Sequence, residues 1–151
     1  MDFRIVIDTR EQEPWAFDCP TVHRKLEAGD YSVAGLEDAV AVERKSPADF
    51  ASTVIHDFPR LAAELEGLST YQAACVVVEA DLDAVLRGRV RAGRGDVSPH
   101  SLLGAAAHIG LRFGVPVFWC GSRQAARSFT DAYLRMFVRL RAARGAGEGR
   151  S

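Results

Sequence analysis

Apolar residues recur in this chain first as short alternating runs and later at helical spacing, and that order sets the expected architecture. Residues 3–8, Phe-Arg-Ile-Val-Ile-Asp, read as a buried first strand ending on an acid. A loop over 9–17 holds Pro14 and Trp15, and short strands are expected over 22–26 and 31–33, around a Gly29-Asp30 turn. The apolar run 39–42 carries the next strand on to Arg44. The period then changes. Ser46-Pro47-Ala48-Asp49 is a helix start, with Ser as N-cap, Pro at the first helical position and an acid three residues after the cap. This helix is expected to reach about Ile55 and to stop near Pro59, and a second follows with Leu61, Leu65 and Leu68 on one face. Residues 73–79 form an apolar run, closed by Glu79, of the kind found in a strand covered on both faces. Asp81 caps a short helix through Leu86, Ser98-Pro99 opens another to about Phe113, and 115–120 read as a strand. Ser122 caps a closing amphipathic helix to about Arg141. Strands first, then alternating helices and strands, predict an α/β domain with a mixed sheet over residues 1–141. The Gly/Arg-rich stretch 142–151 is expected to be a flexible tail.

Composition narrows the class. With 151 residues and 48% of them hydrophobic, the chain can bury one proper core, which excludes wholesale disorder. No apolar stretch has membrane-spanning length, and Met1-Asp2-Phe3-Arg4 runs straight into the first strand, so no secretory signal and no membrane partner are expected. Cys19, Cys75 and Cys120 are scattered and odd in number, which fits free thiols of an intracellular protein better than a disulfide framework or a zinc site. The net charge of −1 hides a split. Residues 1–70 carry 7 basic and 14 acidic side chains, whereas 71–151 carry 12 basic and 6 acidic ones. Acids gathered at a metal site beside a basic half would suit an enzyme acting on nucleic acid. Arginine outnumbers lysine 17 to 2, a usage that a GC-rich genome also produces.

The candidate chemistry lies at strand ends. On an extended strand Glu43 and Lys45 share one face and Arg44 takes the other. Asp30, entering from the neighbouring strand, would give two carboxylates for a hard cation with an ammonium beside them. Asp8 and Glu11 are further acids near a strand end. Mg²⁺ or Mn²⁺ asks for such oxygen donors, with water and substrate phosphate completing the shell. Any one of these acids is also explicable as a solvated strand-end residue or helix cap; for Asp30, Glu43 and Lys45 together the spacing favours function. Lys45 could position a water, accept its proton or stabilise charge on a phosphate. Arg10 and Arg44 could contact phosphates, and Arg44 could equally pair with a structural acid. Asp49 fits the role of closing the helix cap. His56, His100 and His108 lack metal-like partner spacing. Trp15 and Phe17 could stack on a base, although packing across the sheet edge explains them as well. Arg87, Arg89, Arg91 and Arg94 make the basic loop best suited to follow a nucleic-acid backbone.

Taken together, Ile7-Asp8-Thr9-Arg10-Glu11, Gly29-Asp30-Tyr31 and Val42-Glu43-Arg44-Lys45-Ser46 with Asp49 resemble the nuclease-domain signature of the XPF family of structure-specific endonucleases, which includes the archaeal Hef protein. The Arg60-Leu61 helix, the 75–79 strand, the Ser98-Pro99 helix and the Gly114-Val115-Pro116-Val117 strand entry extend the likeness over about residues 3–140. The resemblance implies a restriction-endonuclease-like fold, Mg²⁺ or Mn²⁺ dependence, and cleavage of branched or flap DNA near single-strand/double-strand junctions. It implies Asp8, Asp30 and Glu43 as metal ligands, Glu11 as a supporting acid and Lys45 as the catalytic lysine. It also implies a homodimer or heterodimer formed through the nuclease domain, with Phe129, Tyr133, Phe137 and Leu140 as the candidate surface, unless those residues simply face the core. A cytoplasmic protein, nucleoid-associated when on DNA, is expected. Family members usually add a tandem helix-hairpin-helix module and many a helicase. Neither fits in 151 residues, so a stand-alone bacterial or phage form of the domain is expected. The alternative is a non-catalytic DNA-binding or dimerisation partner of the same fold; such subunits are expected to lose the acids or the lysine, and this chain keeps them. A nucleotide-binding α/β regulator would need a Gly-rich phosphate loop, which is absent.

Overall fold

A computed structural model describes residues 2–88, 91–92, 95–96 and 98–148. Its strands are β1 (Ile5–Asp8), β2 (Thr21–Arg24), β3 (Tyr31–Val33), β4 (Val40–Lys45), β5 (Ala73–Val78), the two-residue strands β6 (Arg91–Ala92) and β7 (Gly95–Asp96), and β8 (Val117–Trp119). Its helices are α1 (Pro47–His56), α2 (Phe58–Ser69), α3 (Leu82–Leu86), α4 (Pro99–Phe113) and α5 (Arg123–Glu148). Six strands form one sheet in the order β2-β1-β3-β4-β5-β8, while β6 and β7 pair with each other. The sheet is mixed: β3 runs antiparallel to both β1 and β4, and the remaining pairs are parallel. Most elements lie where the periodicity places them.

Alternation along β4 and β5 assigns each side chain to a layer. Ala41, Ala74, Val76 and Val78 pack under α1, α2 and α4 against Phe50, Leu61, Leu65, Leu68, Leu102 and Ile109. Val40, Val42, Cys75 and Val77 face the opposite layer, where Ala126 and Leu134 of α5 meet Trp15 and Tyr31. The unbroken apolar run of β5 is therefore two alternating faces, both covered. Continuing this alternation past the core puts Glu43 and Lys45 on the α1–α2 side and Arg44 on the α5 side.

The helix signals hold in detail. The Ser46 side chain accepts a hydrogen bond from the Asp49 backbone N–H at 3.2 Å, with Pro47 opening α1. Asp81 and Ser122 likewise accept from Asp83 and Ala125. Pro59 falls in the first turn of α2 rather than ending α1; both helices meet at Asp57. Two expectations need correction, and an alternative left open on α5 is resolved. The helix α5 runs past Arg141 to Glu148, so the expected flexible tail is helical up to there. Within the expected basic loop, 91–92 and 95–96 pair as an antiparallel hairpin. On α5, Phe129, Tyr133 and Phe137 pack against the core, whereas Leu140 and Met136 are 55% and 49% exposed.

Candidate active site

Backbone hydrogen bonds at one end of the sheet bring three acids of distant sequence together. Asp30 sits just before β3, the strand between β1 and β4. Its carbonyl accepts from the Asp8 N–H at 2.8 Å, and its own N–H donates to the Val42 carbonyl at 2.8 Å. The Asp30 carboxylate in turn accepts from the Arg44 N–H at 2.8 Å. Gly29 makes this approach possible. Its φ of +79° favours glycine, and a Cβ there would lie 3.0 Å from the Ala41 Cβ and 3.2 Å from the Val42 carbonyl oxygen.

Asp8, Arg10, Asp30, Glu43 and Lys45 line one cavity of about 340 Å³, closed on the helix side by Arg60 and Glu64 of α2. A second polar cavity, lined by Glu11, Ser46, Asp49, Ser52 and Thr53, shares Lys45 and Arg60 with the first. Asp8, Asp30, Glu43 and Lys45, the group expected from the strand ends, thus line one cavity. Lys45 Nζ lies 3.9 Å from Glu43 Oε1 and 3.9 Å from Glu64 Oε2.

The carboxylates differ in what surrounds them. Burial pushes the Asp30 carboxyl from its ordinary 3.8 up to about 6; the Arg44 N–H acts against this and the Glu11 charge adds to it. Burial, and then the Asp30 charge, raise Glu43 well above the usual carboxylate range. Two acids pressed together out of water form a site that a hard cation would relieve. Asp8 behaves otherwise. Burial alone would raise it, but hydrogen bonds from Arg10 and from the Leu26 and Arg10 N–H groups outweigh that and hold it low. Both Asp8 oxygens are engaged, by Arg10 Nε at 2.9 Å and by the Leu26 N–H at 2.8 Å. Arg10 also donates to the Leu26 carbonyl at 2.8 Å. Among the described residues, no three His, Cys, Asp or Glu side chains are gathered tightly enough to enclose a metal ion. A pair of carboxylates is nonetheless the donor set that Mg²⁺, which keeps several waters, ordinarily uses. Asp30 and Glu43 fit it.

The remaining expected residues take other places. Arg44, left open between phosphate and structural acid, is only 13% exposed and pairs with Glu79 and, at 3.2 Å, with Glu11. Its guanidinium carbon also lies 5.7 Å from the Trp15 ring centroid. Glu11 is thereby committed to Arg44. Trp15 stacks on Tyr31 with centroids 4.7 Å apart and is 3% exposed, so packing and not base stacking explains it. Asp49, in the first turn of α1, donates its backbone N–H to the Ser46 cap and lines the second cavity. Arg87 is exposed and paired with Asp83 at 2.9 Å. Arg89, Arg94 and the side chain of Arg91 lie outside the described residues. The three cysteines are free, and burial pushes the Cys75 thiol up to about 12. Among the described residues, no helix is long and apolar enough to cross a membrane.

Sequence reasoning passed over Glu64 and did not place Arg60 at the site. The i, i+4 spacing of these two on α2 was the available signal, but apolar periodicity reports the buried face and not which polar side chain reaches a neighbouring strand.

The ERCC4 domain model matches residues 7–132. The chain belongs to the ERCC4-domain family. The XPF-family resemblance carried by the three sequence blocks agrees with this membership. No curated protein matches the chain. Among solved structures, XPF from Aeropyrum pernix is 24% identical, with a TM-score of 0.70 over 94% of this chain and 69% of that one. A second structure, XPF from Aeropyrum pernix in complex with DNA, is also 24% identical with a TM-score of 0.70, over 91% of this chain and 66% of that one. The present chain therefore spans about two thirds of each. At this identity the likeness establishes the fold, which is the restriction-endonuclease-like one expected.

Proposed function

We propose that this chain is a divalent-metal-dependent DNA endonuclease that hydrolyses phosphodiesters of branched or flap DNA to 5′-phosphate and 3′-hydroxyl ends. The observation that carries the reading is the convergence of Asp30, Glu43 and Lys45 on one open cavity at the end of the sheet. Membership of the ERCC4-domain family and the fold shared with a protein solved on DNA support the substrate class.

Asp30 and Glu43 would hold Mg²⁺ or Mn²⁺. When bound, such an ion supplies neutralisation of phosphate charge and a lowered pKa for a coordinated water. Lys45 stands beside the carboxylates, where its ammonium donates hydrogen bonds to the phosphate oxygens as charge develops on them. Asp8, held by Arg10 and the Leu26 N–H, shapes the cavity wall; ligation by Asp8 requires Arg10 to release it. Arg44 keeps β4 in register through Glu11 and Glu79. Arg10 and Arg60, both more than half exposed at the rim, are placed to meet backbone phosphates. The loop of Arg87, Arg89, Arg91 and Arg94 is the proposed further backbone contact. The exposed Met136 and Leu140 are the proposed pairing surface of a dimer.

The test is a substrate panel. The purified protein is incubated with 3′-flap, splayed-arm and plain duplex DNA in Mg²⁺, Mn²⁺ or EDTA. Cleavage of a branched substrate that EDTA abolishes is expected, and cleavage persisting in EDTA would refute the metal role. DNA binding with no cleavage of any substrate would favour the non-catalytic partner instead.

A further inference from the structure

Lys45 is one of two lysines in the chain, and only one of its two carboxylate neighbours comes from the catalytic strand. The other, Glu64, reaches over from α2, a helix fixed to the sheet by the fully buried Leu61, Leu65 and Leu68. Glu64 Oε2 is buried and has no hydrogen-bond partner among the described residues, and it lies 3.9 Å from Lys45 Nζ. The other oxygen of Glu64 faces Arg60 Nε at 3.7 Å. Glu43 Oε1 lies from Lys45 at the same 3.9 Å as Glu64.

Both separations exceed hydrogen-bond length, so neither acid claims the ammonium protons outright. An ammonium attracted by Glu43 alone would collapse onto that carboxylate and compete with a cation for it. The attraction of Glu64 holds the ammonium off it, with three N–H donors free for a substrate phosphate. We infer that Glu64 is a positioning residue that holds Lys45 from the α2 side. Its consequence for catalysis rests on the nuclease reading above; the Glu64–Lys45 contact itself does not.

Two measurements separate these. With lysine labelled by ¹³C at the ε carbon, the protein gives signals from Lys25 and Lys45 alone. Lys25 is exposed, whereas Lys45 is only 14% exposed. The geminal ε protons of Lys45 are expected to be resolved in the wild type and to merge in Glu64→Gln, with Glu64→Asp intermediate and Lys25 unchanged throughout. In single-turnover cleavage, Glu64→Gln is expected to slow the reaction by about 10- to 100-fold, as loss of a supporting partner does. The DNA Kd measured in Ca²⁺ should stay the same. On a Lys45→Ala background Glu64→Gln should cost nothing further, because the two act as a unit. A Lys45 signal indifferent to Glu64→Gln, or losses that multiply in the double variant, would overturn the inference. A Lys45 signal that responds in a protein that cleaves no DNA would uphold the contact and sink the nuclease reading instead.

Discussion

If Asp30 and Glu43 are crowded together to receive a cation, the metal-free protein should be more stable without one of the charges. Asp30→Asn is the cleanest perturbation, because an amide oxygen can still accept from the Arg44 N–H. The Asp30 carboxyl moves from 3.8 to about 6 on folding, with burial as the main cause. The native state therefore holds a proton that the unfolded chain releases, and stability falls as pH rises from about 4 to about 6. Above that window the full penalty remains, about 3 kcal/mol at roughly 1.4 kcal/mol per pH unit. Solvent entry and relaxation of Glu43 reduce what is measured, so a gain of about 1–3 kcal/mol is expected for Asp30→Asn at pH 7.5. In a chain of this length that is roughly 2–12 °C in Tm. Thermal unfolding by circular dichroism in EDTA, from pH 4 to pH 8, measures it. The gain should be small at pH 4 and complete above pH 6, and millimolar Mg²⁺ should raise the wild-type Tm more than that of the variant. An Asp30→Asn protein less stable than wild type at pH 7.5, or a gain that does not change with pH, would refute the reasoning.

Other consequences are simpler. Arg44→Ala leaves Glu11 without its cation and Glu79 with Arg123 alone, 3.6 Å away, and should cost about 3–5 kcal/mol in urea unfolding; a loss below 1 kcal/mol would mean that the pairing is not structural. Gly29→Ala forces a left-handed residue against Ala41 and Val42, so a loss of about 1–3 kcal/mol is expected together with weaker metal binding by calorimetry. Ser46→Ala should cost only about 1 kcal/mol, as an N-cap does. Leu140→Asp, at an exposed position of α5, should shift a dimer to monomer in sedimentation; an unchanged sedimentation coefficient would remove this surface from the proposal.

Local rules exposed much of this molecule because local geometry decides it. Two-residue alternation assigned Glu43 and Lys45 to one face and Arg44 to the other, and β4 keeps that assignment because its two faces meet different helical layers. Caps at Ser46, Asp81 and Ser122 were readable because each needs only a side-chain oxygen and an N–H within three residues. What stayed hidden depends on long separations or lacks a buried face. The pairing of Arg44 with Glu79 joins adjacent strands from positions far apart in sequence. Glu64 reaches Lys45 only because α2 crosses beside β4, a fact of packing. The last turns of α5 are exposed all round, so no apolar stripe announced them, and Gly145 and Gly147 suggested a tail. The role of Arg10, as the partner that ties up Asp8, emerged only with the Leu26 loop in place.

The most direct measurement is single-turnover cleavage of a splayed-arm or 3′-flap DNA in Mg²⁺ by wild type, Lys45→Ala and Asp30→Asn, alongside DNA binding by fluorescence anisotropy. Cleavage by the wild type, with a loss of at least about 100-fold in both variants at unchanged DNA affinity, is predicted for residues that act in the transition state. Equal cleavage by either variant would contradict the assignment of catalysis to this cavity.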